Sequence, residues 1–173
     1  MANKNPWTKY ILLLLIALIL LGVNLLKNKK YKPTSENIFH LKIENITEIN
    51  IAKDTLSVTL VKSDTSWTFA APDTGEVSQD RVDRFLNNFV KKGKYTDYQT
   101  ENPEKYSQYN ITDEKATKIT LKTNGEKKIA LYAARSNSNW AHDYIRYTDD
   151  PKVYITADKI MYYFSERASF WRK

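Results

Sequence analysis

The sequence predicts an α+β fold: one N-terminal transmembrane helix, then an antiparallel-sheet domain with two amphipathic helices, arranged as a duplicated ββ(β)α unit. Three observations predict it. Residues 7 to 32, WTKYILLLLIALILLGVNLLKNKKYK, are apolar between lysine-bearing flanks. Beyond residue 45, short runs alternate apolar and polar side chains with the period of a strand. Two later runs, VSQDRVDRFLNNFVKKG and TADKIMYYFSERASFWRK, switch to the helical period.

The first run divides the chain into a tail at 1–9, a span at 10–26, a tether at 27–37 and a domain at 38–173. Residues 10 to 26 make about 25 Å of helix at ~1.5 Å per residue, just enough for a bilayer core. Tyr10, Leu13, Ile16, Leu20 and Leu26 mark the apolar stretch, and Trp7, Tyr10 and Tyr31 stand at interfacial positions. The run passes into lysines without small residues at a cleavage site, so an uncleaved anchor is expected. Four lysines follow the span, and two plus the terminal amine precede it, which leaves orientation open. Only Ala17 and Gly22 allow close helix approach, so no motif favours self-dimerisation.

In the domain, ITEINIA, LSVTLVK and SWTFAAP alternate as three close-spaced strands of a meander, the last stopped by Pro72. Val82, Phe85, Leu86, Phe89 and Val90 then form one apolar stripe, with Ser78 placed as N-cap and Gly93 at the far end. Lys94 to Gln99 reads as an edge strand, followed by a short helical turn after Pro103. TKITLKT and KKIALYA flank Asn124-Gly125, a strong hairpin signal, and HDYIRYT and KVYIT flank a second turn. The C-terminal run places Ile160, Phe164, Ala168 and Trp171 on one helical face.

Charge argues against nucleic acid. The chain carries a net +7, but residues 1 to 32 hold six lysines and no acid, whereas basic and acidic side chains nearly cancel over the rest. Phosphate binding needs a basic surface on the folded part. Cysteine is absent, which removes disulfides, thiolate metal sites and cysteine nucleophiles. With four glycines, neither a dinucleotide-binding loop nor a P-loop can be drawn.

Only His40 and His142 could serve as imidazole bases. A strand sends His142 and Asp143 to opposite faces, so the pair does not read as catalytic. Asp149 with Asp150, and Glu101 with Glu104, lie in polar turn-like stretches and read as solvated charges. No catalytic, cofactor or metal residues are therefore expected. Asn45 and Asn110 open glycosylation sequons, which matter only in a secreted eukaryotic setting.

The twelve tyrosines and four tryptophans are the unusual part of the composition. Many stand on strands beside charged residues, where the bland role is cross-strand packing. The sharper role is a partner surface made by Tyr144, Arg146, Tyr147 and Tyr154, since Tyr and Arg are enriched at interface hot spots.

SWTFAAP followed by SQDRVDRFLNNF, then KYSQYNI, DYIR, VYIT and a terminal FWRK, resembles the bacterial domain-of-unknown-function 4340 family. Asn110 stands where that family often has glycine. The resemblance implies a membrane-anchored α+β domain outside the cytoplasmic membrane, encoded beside ABC-transporter components, similar to part of the gliding-motility auxiliary transport proteins and without catalytic residues.

The expected function is a non-catalytic accessory or assembly subunit of a bacterial cell-envelope complex, single-pass in the inner membrane and associated with ABC transport. Its expected partners are membrane lipid and integral-membrane protein, with no cofactor. The alternatives are an extracytoplasmic binding module for an envelope ligand such as glycan, and a hydrolase whose pocket unites His142 with distant acids.

Overall fold

The computed structural model describes residues 7–30, 35–125, 128–138 and 140–173, with the side chains of residues 8 and 24–30 outside that description. The chain forms two compact units, Met1–Thr34 and Ser35–Lys173. The first contains helix α1 (Trp7–Lys30). Its leucines and isoleucines are exposed from Ile11 to Leu21.

The transmembrane expectation is corrected here: among the described residues, no helix is long and apolar enough to cross a membrane. The physical reason is length. The expected span, residues 10–26, makes about 25 Å of helix at ~1.5 Å per residue, less than the ~30 Å hydrocarbon layer. Tyr10, Leu13, Ile16 and Leu20 lie exposed on α1, while the side chain of Leu26 lies outside the described residues, as do residues 1–6 of the expected tail. The helix also continues through residues 27–30, which were expected to begin the tether, because lysine and asparagine do not break a helix as proline does. Residues 31–34 of that tether lie outside the described residues.

The second unit is built on a nine-stranded sheet. Its strands are β1 (Glu36–Asn37), β2 (Ile46–Lys53), β3 (Leu56–Ser63), β4 (Ser66–Phe69), β5 (Lys94–Thr100), β6 (Thr117–Thr123), β7 (Lys128–Arg135), β8 (Asp143–Tyr147) and β9 (Val153–Thr156). Their order is β1-β5-β9-β8-β7-β6-β2-β3-β4, and every neighbouring pair is antiparallel. Asp54 and Asp64 turn the β2–β3 and β3–β4 hairpins with positive φ angles, which aspartate tolerates better than bulkier residues. Between β4 and β5 the chain forms α2 (Gln79–Arg84), which continues as a π-helical turn over Phe85–Val90. That segment carries the chain from one edge of the sheet to the other end of the strand order, where β5 pairs with β9.

Strand alternation gives the sheet two different faces. On one, Ile49, Ile51, Val58, Leu60, Ile119, Leu121, Leu131 and Ile145 belong to a buried core with Phe85, Phe89, Phe164 and Trp171. The Phe85 ring meets Trp171 edge-on at 5.7 Å and Phe89 at 5.4 Å, geometries that suit the ring quadrupoles. The other face carries a smaller cluster of Tyr106, Ile111, Ala116, Tyr132, Ala134, Tyr144 and Val153. A 3-10 segment (Pro103–Tyr109) supplies Tyr106, and Asn102 caps its start by accepting from the Glu104 amide at 3.0 Å.

The α+β class with a duplicated ββ(β)α unit is therefore corrected to one antiparallel sheet with few helices. The N-terminal half ends in a helix, but the C-terminal half ends only in the four-residue α3 (Ala168–Trp171). Ile160, Phe164 and Trp171 are buried as the helical stripe requires, yet the chain before α3 is irregular. The Asp143 carboxylate accepts from the amides of Ile160 at 2.7 Å and Met161 at 3.0 Å, satisfying donors that a helix would have had to leave open or bond elsewhere. Trp171 donates from Nε1 to the Ser165 carbonyl at 2.8 Å.

Candidate functional site

Three tyrosines from three strands meet on the helix-bearing face: Tyr95 of β5, Tyr147 of β8 and Tyr154 of β9. Tyr95 and Tyr154 stand 4.4 Å apart between ring centroids, and Tyr147 lies 6.4 Å and 6.1 Å from them. The register explains the meeting, since β5 pairs with β9 and β9 with β8. Each hydroxyl is committed. Tyr95 donates to Glu36 Oε2 at 2.7 Å, Tyr154 to Asp150 Oδ2 at 2.7 Å and Tyr147 to the Ile38 carbonyl at 2.6 Å.

These rings line an open cleft of about 610 Å³ together with His40, Lys128 and Asp149. Desolvation, then the bond to Glu36, pushes the Tyr95 hydroxyl up to about 12. Desolvation followed by the bond to Asp150 raises Tyr154, and desolvation raises Tyr147. All three phenols stay protonated at neutral pH, so they offer rings and O–H groups rather than phenolate nucleophiles. Such a surface suits recognition, because aromatic rings give large contact area at little entropic cost.

The four expected partner residues divide between the faces. Tyr147 and Tyr154 sit in the cleft, whereas Tyr144 and Arg146 belong to the opposite face and are only 6% and 8% exposed. Arg146 is held between the rings of Tyr106 and Tyr132, its guanidinium carbon 4.6 Å and 4.4 Å from their centroids. It pairs with Asp113, which also accepts from the Tyr132 hydroxyl at 2.9 Å. Tyr144 packs edge-on against Tyr109 at 5.0 Å. These contacts clamp the 3-10 segment to the sheet. Strand parity already separates Tyr144 from Tyr147 in the sequence; the roles of Tyr95 and Glu36 depend on long-range pairing and leave no local signal, whereas Asp150 reaches Tyr154 from four residues away.

The two other chemical candidates are also placed. His142 donates from Nδ1 to the Thr156 carbonyl at 2.8 Å, and Asp143 is occupied by the Ile160 and Met161 amides. Among the described residues, no group of three or more His, Cys, Asp or Glu side chains is disposed to hold a metal ion.

Comparison with known proteins gives one match. No curated protein and no solved structure matches the chain. Residues 67–173 match the family described as domain of unknown function (DUF4340). That stretch holds most of the strands, both aromatic clusters and the C-terminal segment, and it covers more than half of the sequence: the chain belongs to the DUF4340 family.

Proposed function

We propose that the chain is a non-catalytic accessory or assembly subunit of a bacterial cell-envelope membrane complex, of the kind associated with ABC transport, with the sheet unit on the extracytoplasmic side. The observation that carries this reading is the surface of α1. Trp7, Tyr10 and the leucines and isoleucines up to Leu21 are exposed around the helix, with no polar face between Ile11 and Leu21. A helix apolar on all sides needs cover from other protein or from lipid. Lipid together with an integral-membrane partner supplies both.

The tyrosine cleft supports the same reading, because Tyr95, Tyr147 and Tyr154 present preorganised rings fixed by their hydroxyl bonds. Confinement at a membrane raises the effective concentration of co-resident partners, so weak contacts suffice.

The test is purification of the intact chain from native membranes in mild detergent. Co-migration with an integral-membrane protein, weakened by Tyr154→Ala, is the expected result. Recovery of the full chain in the supernatant after lysis without detergent would reject it, as would migration as an isolated monomer while neighbouring complexes stay intact.

A further inference from the structure

A second region, apart from the tyrosine cleft, draws on the β7–β8 connection and the segment after β9. A pocket of about 140 Å³ is lined by Arg135, Trp140, His142, Asp143, Lys159 and Tyr162. Trp140 is 85% exposed and Tyr162 54% exposed. Leaving an indole in water forgoes about 2 kcal/mol of burial, part of which a ligand stacked on the ring recovers.

The pocket's polar groups narrow the ligand. The Lys159 ammonium stands 5.7 Å from the Trp140 ring centroid. Among the described residues, neither Arg135 nor Lys159 is in an ion pair. An apolar ligand would leave these cations unsatisfied. A phosphate fits less well, since no helix N-terminus lines the pocket and phosphate has no apolar face to set against the indole. A sugar ring that brings a carboxylate to the cations and a C–H face to the indole satisfies both. The volume suits one such ring.

The pocket does not end there. A more open cleft of about 510 Å³ shares Arg135 and Met161 with it and is lined also by Lys53, Lys115, Asp54 and Glu114. We propose that the pocket binds one ring of an acidic saccharide, stacked on Trp140 with its carboxylate held by Lys159 and Arg135, and that the adjoining cleft takes the continuing chain.

The experiment titrates the purified full chain with galacturonic acid, galactose, inorganic phosphate and polygalacturonic acid, followed by calorimetry. Galacturonic acid binds at least about tenfold more tightly than galactose or phosphate, and polygalacturonic acid binds more tightly still at equal sugar concentration. Trp140→Ala abolishes binding, and Lys159→Gln weakens it about tenfold; both positions lie outside the sheet, and an unchanged thermal unfolding midpoint confirms that the variants fold. Absence of galacturonic acid binding, or binding indifferent to Trp140→Ala, overturns the proposal. Phosphate binding as tight as galacturonic acid overturns the saccharide assignment, and equal affinity for monomer and polymer overturns the role of the cleft.

Discussion

The Gln79 carboxamide makes a two-point hydrogen bond with the backbone of Trp67, accepting from its N–H at 2.9 Å and donating to its carbonyl at 2.9 Å. Trp67 lies on β4, the last strand on its side of the sheet. The side chain thus occupies the backbone groups that a further strand would use, which is how an exposed edge is kept from pairing with another molecule. Gln79→Ala is expected to cost about 1–3 kcal/mol through two unpaired backbone groups. Thermal unfolding measures that loss, and light scattering detects the self-association that a freed edge permits.

Arg146 predicts a different response to two substitutions. Its planar guanidinium lies between Tyr106 and Tyr132 and pairs with Asp113. Lysine keeps the charge but neither stacks flat nor forks. Arg146→Lys is therefore expected to lose about 1–2 kcal/mol, and Arg146→Ala more. Hydrogen exchange localises the damage: amides of the 3-10 segment Pro103–Tyr109 lose protection before those of β2 and β6.

Tyr95 and Tyr154 fix the alkaline limit of stability. Their folded-state values are raised, Tyr95 to about 12, first by desolvation and then by bonds to Glu36 and Asp150. Between the ordinary value near 10 and the folded value, the unfolded chain loses protons that the folded chain keeps. Stability is therefore full below about pH 10 and falls as pH rises toward 12. Denaturant titrations across that window show the fall, and Tyr95→Phe together with Tyr154→Phe flattens it.

Asn110 ends the 3-10 segment with φ 54° and ψ 24°. This is the left-handed region, which glycine enters freely and β-branched residues avoid. Asn110→Gly is expected to be tolerated, with a change of a few tenths of a kcal/mol, and Asn110→Val to cost about 1–2 kcal/mol. Chemical denaturation of the two variants side by side makes the comparison.

The legible parts of the fold were those written in neighbouring residues. β6 and β7 announce themselves by alternation around Asn124-Gly125, and β8 with β9 by alternation around their turn. The stripe from Val82 to Val90 gave the helix, although the π turn over Phe85–Val90 has no sequence mark. The helical spacing of Ile160, Phe164 and Trp171 predicts a C-terminal helix, but an irregular chain tied to Asp143 buries the same three. The span expected at residues 10–26 rests on hydropathy, and among the described residues no helix is long and apolar enough to cross a membrane. In the candidate site, Tyr147 and Tyr154 could be named from local composition. Tyr95 and Glu36 could not, since β5 reaches β9 only through a pairing of residues far apart in sequence.

That arrangement bears on where the protein can be cut. The family match begins at residue 67, whereas β2 lies between β6 and β3, with Ile49 and Ile51 fully buried. A piece starting at residue 67 would strip β6 of a neighbour, orphan β4 and open the middle of the hydrophobic interior to water. Homology thus marks out a segment unable to stand alone, and a fragment designed on its borders should emerge as an insoluble or unstructured polypeptide, where one beginning at residue 35 yields a cooperative melting transition.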